Sequence, residues 1–297
     1  MNKMVNTNSA KAWILASRPK TLTGAAAPVL VGAVMSWNYM GEVRWLAFML
    51  ALGFAMLMQV AANFINDYYD WRKGTDRNED RLGPERACAQ GWITPKAMLT
   101  GIGVVVALAC IIGLPLAFIG GWWLICIGVA CVVFAAVYTL WFSYMGLGDL
   151  LVLVFFGIVP VGFTFYVMTD GAWTMPVTII GVAQGLVTDM LLMVNNYRDR
   201  NQDRVSGKQT VVVRFGARFG LAGYLALGLV GVILALLVLP SPCKWIFMPL
   251  WLLLHLLTFR QMCRMDGRQL NMVLGTTARN IFLFAVAIIL SVSILSC

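Results

Sequence analysis

The sequence predicts an all-α integral membrane protein of about nine transmembrane helices, with its N-terminus in the cytoplasm and its C-terminus outside. Three observations carry that expectation. The 297 residues are 60% hydrophobic and 12% charged, about half the charged share of a soluble domain, so too little polar surface exists to cover a water-soluble body. The apolar residues gather in runs of about 20, the length that crosses a bilayer as a helix. The basic residues fall almost wholly into alternate connections between those runs.

Lys3, Lys11, Arg18 and Lys20 precede the first apolar run, residues 22–40. That run is too long for a signal-peptide core and reads as a retained span. Just before it, Ser9 to Arg18 reads as a short interfacial helix anchored by Trp13. Further runs cover about 45–66, 97–119, 121–141, 149–168, 174–196, 219–239, 245–259 and 275–296. Pro240-Ser241-Pro242 separates the seventh from the eighth. With the N-terminus inside, 20 of the 22 Lys and Arg are cytoplasmic, and only Arg44 and Lys244 lie outside. The net charge of +9 is thereby explained by topology and requires no nucleic-acid partner. The seven cysteines form no metal-ligand spacing and read as small buried hydrophobes without disulfides. His255, the lone histidine, reads as structural.

The acidic residues are the informative ones. Of thirteen Asp and Glu, six lie between Asp67 and Glu85, and Asp199 and Asp203 form a second pair. Both groups follow even-numbered spans, so both emerge on the cytoplasmic side. Asn66-Asp67-Tyr68-Tyr69-Asp70 and Asn195-Asn196-Tyr197-Arg198-Asp199 repeat one pattern, N-x-Y-x-D, at the end of an apolar helix. At 3.6 residues per turn Asn66 and Asp70 share a face, as do Asn195, Asp199 and Asp203. Carboxylates at a helix C-terminus are unfavourable unless a cation binds. Mg²⁺ takes one or two carboxylates together with phosphate oxygens, and Arg72, Lys73, Arg81 and Lys208 stand among the acids as phosphate partners. Carboxylates, amides and basic clamps at a lipid boundary suit a diphosphate whose tail lies in the bilayer.

Further motifs accompany that pattern: Arg18-Pro19-Lys20-Thr21-Leu22, Lys73-Gly74-Thr75-Asp76, Arg81-Leu82-Gly83-Pro84-Glu85-Arg86, Gly146-Leu147-Gly148-Asp149, Val154-Phe155-Phe156-Gly157 and Val213-Arg214-Phe215-Gly216. Together and in order, they resemble the UbiA-type intramembrane prenyltransferases, and most of all the naphthoate-prenylating branch. The resemblance covers nearly the whole chain and implies a UbiA-like helical bundle with a cytoplasmic-side active site. It implies one prenyltransferase domain over 1–297, with pseudo-repeat halves 20–145 and 146–297 and active-site loops 71–96 and 199–218. It further implies Mg²⁺ on Asn66, Asp67, Asp70, Asp76, Asn195, Asp199 and Asp203, and a diphosphate clamped by Arg18, Arg72, Lys73, Arg81 and Lys208. Asp67, Asp70, Asp199 and Tyr138 would be catalytic, with Tyr68, Tyr69 and Tyr138 shielding an allylic cation. The implied reaction moves an all-trans polyprenyl group onto 1,4-dihydroxy-2-naphthoate with loss of CO₂ and diphosphate, in the inner membrane of a bacterium. A 4-hydroxybenzoate acceptor is the alternative within the family. Outside it, a secondary transporter would use midspan Asp189 as a proton relay.

Overall fold

The structure is a computed structural model that describes residues 5–74, 82–137 and 145–294. Among these the regular structure is helical throughout. The helices are α1 (Ala10–Ser17), α2 (Pro19–Met40), α3 (Trp45–Lys73), α4 (Pro95–Gly120) and α5 (Leu124–Val137). They continue as α6 (Gly148–Met168), α7 (Met175–Val205), α8 (Val211–Phe215), α9 (Ala217–Val238), α10 (Lys244–Arg264) and α11 (Leu270–Ser293).

Each of the nine apolar runs holds a helix, and among the described residues seven are long and apolar enough to cross a membrane: α3, α4, α6, α7, α9, α10 and the segment Gly267–Ser293 containing α11. The chain is therefore a multi-pass membrane protein. The other two runs stand apart. Helix α5 is described over 14 residues, Leu124–Val137, up to the edge of the described stretch. Helix α2 has 22 residues but is rich in Gly and Ala, and it buries Gly24, Ala25, Ala27, Pro28, Val29 and Val31, as an interior helix packed among others does.

The sequence explains where the long helices start and how far they reach. Thr94 caps α4 by accepting a hydrogen bond from the Ala97 N–H at 3.3 Å, and Pro95 follows where no N–H is needed. Helix α7 has 31 residues, about 46 Å at 1.5 Å per residue, against a hydrocarbon core of about 30 Å. Its polar last turns, from Asn195 on, therefore stand outside the apolar layer, as does the end of the 29-residue α3.

The basic connections meet at this end of the bundle. Arg198 donates to Asn271 at 2.7 Å, Asn271 donates to the Leu82 carbonyl at 2.7 Å, and Arg214 donates to the Met145 carbonyl at 3.0 Å. At the opposite end Arg44 pairs with Asp170 through both carboxylate oxygens.

Helix α7 is the most buried of the spans and packs against α6, α9 and α11. Its approach to α6 is made by glycines. A Cβ on Gly157 would lie 2.5 Å from the Gly181 carbonyl oxygen and from the Gly185 Cα. In that stretch α6 widens into a π-helical turn, Val154–Ile158.

Two expectations are corrected. Trp13 is no interfacial anchor: it tilts against Phe64 and fills the space over Gly101, where a Cβ would meet its ring at 2.6 Å. The exposed apolar residues of α1 are Ile14 and Leu15. Cys243, read as a plain thiol, is disulfide-bonded. His255 is buried, stacked between Trp251 and Tyr224 as a structural residue.

Candidate active site

A cavity of about 600 Å³ opens among α2, α3, α4, α5, α6 and α7. Arg18, Asn66 and Asn195 border it at the end where the basic connections meet, and Leu116, Ala117 and Leu124 border it at the other. Along α3 it is lined by one face from Ala51 to Asn66, about 22 Å of helix. Its walls are otherwise mostly apolar. A polar mouth on a long apolar tunnel matches an amphiphile with a charged head and a hydrocarbon tail.

On the α3 side, Asn66 faces the cavity and Asp70 lies one turn further out. The Asp70 carboxylate accepts from Arg86 at 3.0 Å, with both side chains largely buried. Arg18 occupies the junction of α1 and α2 in a left-handed conformation, φ 51° and ψ 69°. Its Nη2 is buried with no hydrogen-bond partner among the described residues. Burial pulls the Arg18 pKa down, and the negative charges of Asp67 and Asp70 oppose that pull. Burial lowers the Lys73 pKa, the Asp70 charge raises it and the Lys208 charge lowers it further, so both lysines sit within electrostatic reach of the site.

Asp67 is the main correction. Its carboxylate is 1% exposed and accepts 2.8 Å hydrogen bonds from the backbone N–H groups of Ala87 and Cys88. It anchors the 86–92 turn and is turned away from the cavity. Asp67→Asn places an amide NH₂ against one of those donors and leaves a buried N–H unpaired, a cost of about 1–3 kcal/mol. The expected outcome is a lower thermal unfolding midpoint in detergent, which an unchanged midpoint would contradict. Arg72 is exposed and lies roughly 200° around α3 from Asp70, so it also leaves the clamp. Tyr68 and Tyr69 pack with Phe64, Ala87 and Ile93 in a separate apolar cluster and do not border the cavity. Asp76, Arg81 and Tyr138 lie outside the described residues.

On the α7 side, Asn195 borders the cavity. Asp199 accepts from Arg198 Nε at 2.8 Å and Nη2 at 2.7 Å. Asp203 is buried and 3.9 Å from the Lys208 ammonium. Burial, with Asp199 and Asp70 nearby, pushes the Asp203 carboxyl up to about 6, while Lys208 and Arg198 hold it down. Asn66 and Asn195 border one cavity, which puts the two N-x-Y-x-D segments at one mouth. Asp189 is not part of it: it is buried and borders, with Asp149, a second and smaller cavity against α9.

The donors suit a hard cation. They are all oxygens, from Asn66, Asp70, Asn195, Asp199 and Asp203, and their crowded negative charge is what a cation relieves. Among the described residues no group of three or more His, Cys, Asp or Glu forms a metal cage, so substrate oxygens would complete the coordination. Two features of the cavity had been missed from sequence. Phe134 and Phe155, 4.6 Å apart, line it with Phe156 in place of the tyrosines; the π turn is what brings adjacent Phe155 and Phe156 to one wall. Gln59, Asn63 and Thr21 form a hydrogen-bonded polar step below Asn66.

Residues 25–284 match the UbiA prenyltransferase family pattern. The chain belongs to the UbiA prenyltransferase family. It is 38% identical over 221 residues to 1,4-dihydroxy-2-naphthoate octaprenyltransferase of Escherichia coli (strain K12), covering 69% of each chain. It is 36% identical over 234 residues to the protein of the same name from Haemophilus influenzae, covering 73% of each. Solved UbiA structures share the fold. A UbiA homolog from Aeropyrum pernix K1 superposes with a TM-score of 0.70 at 16% identity over 92% of this chain and 98% of that one. A UbiA homolog from Archaeoglobus fulgidus bound to GPP and Mg²⁺ superposes with a TM-score of 0.66 at 18% identity over 95% and 99%.

Proposed function

We propose that this UbiA prenyltransferase moves an all-trans polyprenyl group from polyprenyl diphosphate onto 1,4-dihydroxy-2-naphthoate. The allylic C–O bond breaks and diphosphate leaves. The ring carbon bearing the carboxylate attacks, and CO₂ departs as aromaticity returns, giving the demethylmenaquinone skeleton. The observation that carries this reading is the pairing of two Asn/Asp segments at the polar mouth of one long apolar cavity. The names of the 36–38% identical relatives support the acceptor.

Asp70, Asp199 and Asp203, with Asn66 and Asn195, would hold Mg²⁺, which supplies positive charge to a departing diphosphate. Arg18 offers it a buried, unpaired donor, and Lys73 and Lys208 flank it. The apolar tunnel holds the tail and keeps water from the allylic cation, whose charge the ring faces of Phe134, Phe155 and Phe156 attract. The reading also places one domain over 1–297, with halves 20–145 and 146–297, loops 71–96 and 199–218 at the site, and the bundle in a bacterial inner membrane. Nine helices would then cross, with α2 shielded by its neighbours, the N-terminus inside and the C-terminus outside. The excess of Lys and Arg at the site end supports that orientation.

The test is a competition. Purified protein receives Mg²⁺, a polyprenyl diphosphate, and equal dihydroxynaphthoate and 4-hydroxybenzoate. The expected product is the prenylated, decarboxylated naphthalene, lost on chelation of the metal. Prenylated hydroxybenzoate alone would overturn the acceptor assignment, and absence of diphosphate release with either acceptor would overturn the reaction.

A further inference from the structure

Gln59 is 9% exposed and borders the substrate cavity. Its amide orientation is set by a chain of hydrogen bonds that ends on two atoms able only to accept. The Ser17 carbonyl accepts from Asn63 Nδ2 at 2.8 Å, which turns Asn63 Oδ1 toward Gln59. The Arg18 carbonyl accepts the Thr21 hydroxyl proton at 2.9 Å, leaving Thr21 Oγ1 as an acceptor for Asn63 Nδ2 at 3.0 Å. Gln59 Nε2 must therefore face Asn63 Oδ1, at 3.3 Å, and Thr21 Oγ1, at 3.5 Å. That leaves Gln59 Oε1 buried with no donor among the described residues. Buried carbonyl oxygens are nearly always satisfied.

The missing partner is a donor that the cavity admits, and of the two substrates only one can supply it in place of water. A prenyl tail is hydrocarbon and carries no O–H or N–H. The aromatic acceptor carries hydroxyls. Gln59 also stands at the right depth: it lies on the face of α3 that carries Asn66, seven residues and about 10 Å further in. An acceptor ring on the inner side of the diphosphate, where it meets the allylic carbon, can extend a hydroxyl toward this depth.

We infer that Gln59 binds the acceptor, its Oε1 accepting a hydrogen bond from a ring hydroxyl; this rests on the aromatic-acceptor reading above. A neutral amide takes the hydrogen bond without removing the proton. As the ring donates electrons to the allylic cation, the hydroxyl becomes more acidic and the bond tightens, so the contact favours the transition state over the ground state. It also selects for ring acceptors with a hydroxyl at that position.

The experiment uses full-length protein in lipid nanodiscs. It measures KM for both substrates, and inhibition by 1-hydroxy-2-naphthoate, 4-hydroxy-2-naphthoate and unsubstituted 2-naphthoate, for wild type, Gln59→Met and Gln59→Glu. In wild type, loss of the engaged hydroxyl is expected to weaken inhibition about tenfold. In Gln59→Met that difference disappears, and KM for dihydroxynaphthoate rises about tenfold while KM for prenyl diphosphate stays put. Gln59→Glu keeps an acceptor and retains at least the wild-type preference, which covers the case of a Met variant that does not fold. The inference is overturned if Gln59→Met still prefers the hydroxylated inhibitor, if both KM values rise together as for a purely structural residue, or if Gln59→Glu loses the preference. A wild-type protein that does not prenylate dihydroxynaphthoate would instead remove the functional reading beneath it.

Discussion

Asp70→Asn is expected to lower turnover by roughly 10²–10³-fold while leaving the protein folded. Asparagine has the shape of aspartate and can still accept from Arg86, which holds Asp70 at 3.0 Å. The α3 C-terminus and the segment carrying Arg86 therefore keep their contact. The carboxylate charge is what disappears, and with it the attraction for a cation between α3 and α7. Asp199→Asn should lose turnover alike, but it keeps only one of the two hydrogen bonds from neighbouring Arg198 and should melt somewhat earlier. The double variant should lose little more than either single one, since the two carboxylates act as a unit. Circular dichroism and thermal midpoint check the fold, and product formation checks the chemistry. Wild-type rates in both single variants would overturn the metal-site assignment.

Gly185→Leu is expected to give the largest loss of stability. A Cβ at residue 185 would lie 2.7 Å from the Leu153 carbonyl oxygen and 3.1 Å from the Leu153 Cα. These are backbone atoms of α6 and cannot swing aside as a side chain does. Overpacking in a core costs about 1–3 kcal/mol when side chains can adjust; here two helices must separate. Spans pack closely in lipid only where small residues allow backbones to approach, so the variant should accumulate poorly and melt earlier. Gly185→Ala should show the same trend more weakly. Gly128→Ala is the control, since nothing lies within 4 Å of its added Cβ. Equal midpoints for Gly185→Leu and wild type would show that α6 and α7 are not held together there.

The fold and half of the site were legible because their signals are local. Apolar run length locates the helices, and the helical period alone puts Asn66 with Asp70 and Asn195 with Asp199. Asp67 was misread because its partners are backbone N–H groups twenty and twenty-one residues away, and every residue but proline carries such a donor. No side-chain pattern marks that pairing. Tyr68 was open to correction, since it lies roughly 200° around the helix from Asn66. The step formed by Gln59 and Asn63 was equally visible, because 59, 63, 66, 70 and 73 make one polar stripe at helical spacing in an apolar run. The π turn had no local signal; it follows from how closely Gly157 meets α7. The count of nine spans rests on apolar run length alone, which does not distinguish an enclosed helix such as α2 from one that faces lipid.

Arg18 joins two demands that pull against each other. Its backbone sits at φ 51°, a conformation that glycine adopts freely and that other residues adopt at a cost. Its guanidinium is the buried cation at the cavity mouth. A search for thermostable variants would favour glycine or asparagine here, and a search for faster ones would keep arginine. Position 18 is thus a point of trade-off between durability and activity, and stabilising this membrane protein by consensus or directed evolution has to hold that residue fixed.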